Sequence, residues 1–551
     1  MIETIKVTIG NKNYKVSKET TLLELATQFQ DNFKYPIILA KVNGYLKELT
    51  EKVGDSSKIE FLDLTSREGN RTHISGLTYI LIYAIKTLYG KNANAIILHS
   101  LDKGIYIETN FTLTANKVKE IKEKMKAIIE TAMPITKVTV ERFEAIKYFK
   151  DIKDLVKVGV MTYNTNSYVT LYRLGNYYNY FYNFMPPSTD RLSSFDLTYI
   201  NDKGFILQFP TVYMNDKIKP YKHHPGMFEV FNDYRKWSQI MKIETSVDLN
   251  RIVSEGNIND LIRIDETLKN NKLLEIARTI NEHKNKVKVI LIAGPSSSGK
   301  TTTSIKLCTF LKSFGLNPKV LGMDDYFVDR ENNPKDENGN YDYECLEAID
   351  IKLFNDQVAK LLENKEVLTP TYNFITGKKE YKNKVKLQNN DILIIEGIHA
   401  IDPHILDNIE RNKKFKIYIS ALTELNIDDH NRISTTDHRL LRRIVRDNRT
   451  RGYNVETTIK SWDSVRKGEE KYIFPYQDEA DVTLNSALIY EMGVLKTYVE
   501  PLLYSVESTS PYYEEAKRLI RFLQMFFPIP SDAIPQDSVL REFIGNGCFH
   551  D

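Results

Sequence analysis

Gly294, Pro295, Ser296, Ser297, Ser298, Gly299, Lys300 and Thr301 reproduce the spacing G-x-x-x-x-G-K-S/T. Residues of these types at this spacing cradle nucleotide phosphates. The two glycines let the backbone wrap so that its N–H groups converge. A helix starting at Thr301 adds positive potential for a β-phosphate. Lys300 can reach the β- and γ-oxygens, and the Thr301 hydroxyl can ligate Mg²⁺. Thr302, in the first helical turn, completes the cofactor-binding candidates. A bare loop of this kind also serves GTPases, motors and transporter ATPases. Two carboxylates narrow the choice. Asp324 follows the apolar run 318–323, and Glu396 closes the run that starts at Asp391. At the C-terminal edge of a parallel sheet, both lie beside the phosphates. Asp324 is placed to accept a hydroxyl proton, and Glu396 to hold Mg²⁺ directly or through water. That chemistry is phosphoryl transfer from ATP to an alcohol.

The elements that must position these groups are legible as well. Apolar runs at 287–293, 318–323, 391–396, 415–420 and 481–485 alternate with helical patterns. Such alternation predicts a doubly wound parallel sheet. Thr301–Ser313 reads as the helix after the loop, with Ile305, Cys308 and Leu311 on its inner face and Gly315 just beyond its end.

Further motifs carry a family resemblance. These are Asp324-Asp325-Tyr326-Phe327, Tyr341-Asp342-Tyr343-Glu344, Pro370-Thr371-Tyr372-Asn373-Phe374, Ile395-Glu396-Gly397-Ile398 and the arginine-rich stretch Arg439 to Gly452. With the phosphate loop, this set resembles the uridine kinase and phosphoribulokinase family over about 286–505. The resemblance implies that Asp324 is the catalytic base and that Thr301 and Glu396 are Mg²⁺ partners. It implies that Asp342 holds ribose hydroxyls, with Tyr372 and Arg443 at the acceptor. Arg446 and Arg451 match lid arginines that close on the phosphates. Two positions depart from the nucleoside-specific pattern: Gly377 stands where those members have histidine, and Tyr453 where they have arginine. The acceptor is expected to be a nucleoside such as uridine or cytidine, or else another hydroxylated metabolite such as a phosphorylated sugar.

The first half has a different character. Residues 1–64 alternate as strand, strand, helix, strand, strand, with a capping box at Thr21 and Glu24 and a hairpin signal at Asn43-Gly44. That order resembles a β-grasp of the TGS type that opens threonyl-tRNA synthetases. Residues 65–215 resemble the second, editing domain of the same synthetases, from Arg71-Thr72-His73 to Pro186-Pro187-Ser188-Thr189. The resemblance implies a four-ligand polar site there, but this chain keeps only His73. Leu77, Phe181 and Met185 stand at the other three positions, so no editing chemistry is expected. The aromatic run Tyr177 to Phe184 fits a packed strand better than a base-stacking platform, because few basic residues interleave it. Residues 216–285, with His223-His224-Pro225, read as a helical connector. Residues 286–530 form the kinase-like domain, and 531–551 read as a polar tail or cap.

Composition bounds the partners. The 76 basic residues nearly balance 73 acidic ones, a net charge of +3, which argues against nucleic acid as an obligate partner. The N-terminal half leaves one route to it: a tRNA-associated factor that uses ATP as a switch. The three cysteines are far apart, and neither an apolar leader nor a long apolar span is visible. A cytoplasmic protein off the membrane is expected, with self-association left open.

Overall fold

The computed structural model describes residues 3–192, 194–212, 217–336, 339, 341–373, 376–388, 390–423 and 425–549. The expected boundary at 215–216 and Phe374 lie outside the described residues.

Alternation builds the first sheet. Ile5 and Val7 of strand Thr4–Ile9 point into a core with Leu22, Leu25 and Ala26 of helix Leu22–Phe29. Thr21 and Glu24 exchange both capping-box hydrogen bonds at that helix start. Asn43 and Gly44, at φ 53° and 87°, turn the hairpin between Leu39–Val42 and Tyr45–Lys47. The last strand, Ser57–Leu62, runs parallel to the first at the centre of the five-stranded sheet.

Helix Arg67–Tyr89 leads into a second unit with an antiparallel four-stranded and a three-stranded sheet. His73 is buried, with Nε2 3.2 Å from the Ser194 carbonyl oxygen, and burial pushes its pKa down to about 4. Leu77, Phe181 and Met185 pack together in one apolar core. Tyr177, Tyr180 and Phe181 of the aromatic run are buried. The Tyr79 hydroxyl donates to the carbonyls of Tyr172 and Tyr177 at 2.6 and 2.9 Å, which fixes that run as packing.

Three helices, Pro225–Met241, Ser246–Ser254 and Ile258–Glu282, connect to the second half. There the five expected strands form one parallel sheet. Its order is Asn317–Gly322, Asp391–Glu396, Val289–Ala293, Lys414–Ser420, Val482–Asn485. Val289, Leu291 and Ala293 enter one core while Ile290 and Ile292 enter another, so the central strand is buried on both faces. Helix Lys300–Ser313 buries Leu307, Cys308 and Leu311, with Ile305 only half-buried; the inner face is rotated toward Leu307 from the expected set.

The C-terminal segment packs as a cap: Leu540 and Phe543 are fully buried in the main core, and Glu542 reaches Thr302 in the helix after the phosphate loop.

Charged contacts join the halves. Arg71 Nη1 lies 2.6 Å from Glu515 Oε2, and Arg67 Nη1 lies 3.9 Å from Glu515 Oε1. Lys157 and Asp428 form an ion pair at 2.9 Å with both side chains fully buried. His224 is buried between Asp478, 2.8 Å from its Nδ1, and Asp102, 3.8 Å from its Nε2. The Asp102 carboxylate and the hydrogen-bonded Asp478 carboxylate raise its pKa against the opposing effect of burial. A raised folded pKa stabilises fully below the unfolded value near 6.5 and is lost as pH rises through the folded value. His224→Gln should therefore cost more stability at acidic than at alkaline pH, read by urea unfolding of both proteins across that range.

Candidate active site

The loop between Val289–Ala293 and Lys300–Ser313 leaves no room for side chains at its glycines. A Cβ on Gly294 would sit 2.0 Å from the Ile419 carbonyl oxygen. Gly299 has φ +81°, and a Cβ there would meet Val539 at 2.5 Å. Ser297 also takes positive φ, at 60°. This backbone is held from outside. Arg439 Nε donates to the Ser296 carbonyl at 2.9 Å, and Arg442 Nη1 to that of Ser297 at 3.3 Å. Both arginines are buried, and each is paired with a buried carboxylate, Glu469 and Glu491. Glu469 in turn accepts from the Ser296 N–H at 3.1 Å. The Pro295 carbonyl accepts from Lys300 Nζ at 3.3 Å.

The expected carboxylates stand at the C-terminal sheet edge. Glu396 pairs with Gly322 on one side and Ile292 on the other. It accepts a hydrogen bond from Thr301 Oγ1 at 3.2 Å. Burial, with the Asp324 and Glu542 carboxylates nearby, pushes its pKa up to about 7 against the pull of Lys300 and Thr301. Asp324 is exposed two residues beyond strand Asn317–Gly322. Its neighbour Asp325 turns inward to accept from the Tyr372 N–H at 3.3 Å.

The arginine-rich helix, Thr435–Arg451, gathers its outer arginines on one carboxylate. Arg443 Nε and Arg446 Nη2 lie 3.2 and 2.8 Å from the oxygens of buried Asp447, and Arg451 Nη1 lies 3.6 Å away. Arg443 also donates to Ser296 Oγ at 2.8 Å, which brings it to the loop. On the opposite flank, Tyr372 is buried against Phe327 and Phe327 against Tyr343, edge-on, at 5.5 and 5.8 Å between ring centres. Asp342 is half-buried beside them, its Oδ1 accepting from the Glu344 N–H at 2.9 Å. Gly377 has φ +71°, and a Cβ there would lie 2.7 Å from Arg330 Cβ. Arg330, which also interacts with Tyr343, Tyr372 and Tyr453, takes the room that a larger residue would need.

Sequence reasoning missed Asp447, Glu469 and Glu542. Asp447 stands one and four residues from the arginines it gathers on its own helix, whereas Glu469 serves the loop through Arg439, 30 residues away on no fixed spacing. Glu542 comes from the C-terminal segment and accepts from both the Thr302 N–H and the Thr302 Oγ1, at 3.2 and 2.8 Å. Its carboxylate thus engages a donor pair at the helix N-terminus, where an anion is favoured. A nucleotide phosphate seeking those donors must displace it. Glu542→Gln is expected to tighten ATP binding about tenfold by removing a competing charge, measured by calorimetry with a nonhydrolysable ATP analogue.

Residues 289–488 match the Phosphoribulokinase / Uridine kinase family. The uridine kinase of Borrelia duttonii is 29% identical over 228 residues, spanning 39% of this chain and 97% of that enzyme. The uridine kinase of Staphylococcus epidermidis is 28% identical over 225 residues, 41% of this chain and 97% of its own length. The N-terminal part is similar to the threonine–tRNA ligase of Sulfurihydrogenibium sp., 26% identical over 193 residues. That match covers 34% of this chain and 30% of the ligase. Among the described residues no helix is long and apolar enough to cross a membrane. The C-terminal half of this chain carries a domain of the phosphoribulokinase and uridine kinase family.

Proposed function

We propose that the protein is an ATP- and Mg²⁺-dependent kinase that phosphorylates a hydroxyl of a small molecule, the 5′-hydroxyl of a uridine- or cytidine-like nucleoside. One observation carries this reading: the phosphate loop, Asp324, Glu396 and the lid arginines converge on one edge of a single parallel sheet. The residues fit the implied ligands. Gly294 and Gly299 leave a backbone cradle, and Thr301 and Glu396 offer two oxygens 3.2 Å apart as Mg²⁺ partners. Bound Mg²⁺ would neutralise charge on the phosphate oxygens. Lys300 and the loop N–H groups hold the β- and γ-phosphates. Asp324 accepts the acceptor's proton as its oxygen bonds to the γ-phosphorus, and the bond to the β-bridging oxygen breaks to release ADP. Arg446 and Arg451 neutralise charge on the moving group and exclude water, and Arg443 stands at the acceptor. Asp342 and Tyr372 hold the acceptor.

Arg330 beside Gly377 supports a second reading, in which the acceptor is itself anionic, such as a sugar phosphate. In the N-terminal half, the first sheet is consistent with a TGS-like β-grasp and the second unit with a degenerate synthetase editing domain. The apolar packing of Leu77, Phe181 and Met185 supports chemical inactivity there. A cytoplasmic location follows from the same reading.

Phosphoryl transfer from ATP across a panel of nucleosides and sugar phosphates, with products followed by mass, tests the proposal. A nucleoside monophosphate supports the first reading, and a bisphosphate the second. ATP binding without any product sinks both and favours an ATP-switched factor with tRNA as its partner.

A further inference from the structure

A cavity of about 240 Å³ lies between the two halves of the chain. The N-terminal half contributes Asn70, Arg71 and Thr78 to its wall; the second half contributes Arg432, Ser434 and Trp462. It is separate from the phosphate loop, and it is smaller than the pockets that hold drug-sized ligands, which start near about 300 Å³.

Three observations define its chemistry. Ser434 caps helix Thr435–Arg451, its side chain accepting from the Thr436 N–H, and both residues line the cavity. The positive end of a 17-residue helix therefore opens onto it. Trp462 is 1% exposed, and its indole N–H meets no acceptor among the described residues. Buried donors are normally paired, so this one calls for an acceptor. The third observation is Arg432. Every other arginine on the wall holds a carboxylate: Arg67 and Arg71 reach Glu515, Arg518 reaches Asp437 and Arg466 reaches Glu469. Half-buried Arg432 has no ion pair or hydrogen bond among the described residues, and its partial loss of water lowers its pKa. Of the groups that act on it, Tyr182 is a phenol and Asp437 is already held in a two-pronged pair by Arg518.

An arginine, an indole N–H and a helix N-terminus all donate. Their common complement is a group that only accepts, an ionised oxyanion. We propose that this cavity binds a small organic anion, a carboxylate or a phosphate monoester, held by Arg432 and the Trp462 N–H between the two halves. Its occupant would lie against side chains that support the phosphate loop. The Trp462 ring lies beneath Arg439 and Arg443, at 5.4 and 5.9 Å. Arg466 pairs with Glu469, which holds the Ser296 N–H.

The chain has two tryptophans, Trp237 and Trp462, so Trp237→Phe leaves Trp462 as the sole reporter. The full-length Trp237→Phe protein is titrated with inorganic phosphate and, separately, with acetate, following its emission. A saturable change is expected with at least one of them; phosphate marks a phosphate-headed ligand and acetate a carboxylate. Adding Arg432→Gln should weaken the response about ten- to a hundredfold, the worth of a charge-assisted hydrogen bond. Phosphate also suits the loop, so the titration is repeated with Lys300→Ala added, where the signal should persist whether or not the chain is a kinase. Trp462→Phe, which keeps the ring but removes the donor, should weaken phosphate or acetate binding by calorimetry. A flat titration with both anions, a midpoint unmoved by Arg432→Gln and Trp462→Phe, or a signal abolished by Lys300→Ala overturns the proposal.

Discussion

Asp324→Asn should lower kcat by about 10²- to 10⁴-fold, the usual worth of a positioned general base, while ATP binding stays near the parent value. The asymmetry follows from position. Asp324 is exposed beyond the end of its strand, clear of the loop's supporting bonds, whereas its neighbour Asp325 turns inward onto Tyr372. The isosteric amide keeps size and polarity but loses the negative charge, and with it the capacity to take a proton. Steady-state turnover, with nucleotide affinity measured separately, separates the two effects. Unchanged kcat would exclude Asp324 as the base.

The second large effect concerns the junction between the halves. Asp428→Ala should destabilise the protein by about 3–5 kcal/mol, because it strands a buried charge. Lys157 Nζ lies 2.9 Å from Asp428 Oδ2, and neither side chain has solvent exposure. Asp428 also accepts from the N–H groups of His430 and Asn431, at 2.8 and 2.9 Å, and from the Asn431 amide at 2.8 Å. The alanine removes all of these acceptors. Adding Lys157→Met should recover much of the loss, since the orphaned charge leaves with it. Urea unfolding of the single and double variants measures both. Equal stability of the single variant and the parent would show that Lys157 finds water or another partner.

What was legible in the sequence follows from the range of each interaction. The five parallel strands are continuous apolar runs flanked by helical patterns, and the phosphate loop is a contiguous motif. Both are written in neighbouring residues. The supports of the loop are not. Arg439 and Arg442 sit in a stretch that reads as a functional lid, yet they are buried under the loop and paired with acids 30 and 49 residues away. The C-terminal segment reads as polar because Ser531, Asp532, Gln536 and Asp537 dominate its first part. Leu540, Phe543 and Ile544 fall in a single short turn, too brief to show a period. The face of helix Lys300–Ser313 rotated toward Leu307 for a related reason: both the sheet and the distant helix Ile258–Glu282 pack on it.

Helix Thr435–Arg451, the proposed lid, is fastened unevenly along its length. Asp437 through Arg442 are buried, whereas Asn448 through Arg451 are exposed and the helix ends at Gly452 with φ +66°. Its amide protons should therefore exchange with solvent along a gradient, slowest near Arg439 and fastest in the last turn. Closure over a substrate would then be a fraying and re-forming of one helical end, a motion of nanoseconds to microseconds, with no swing of a whole domain to wait for.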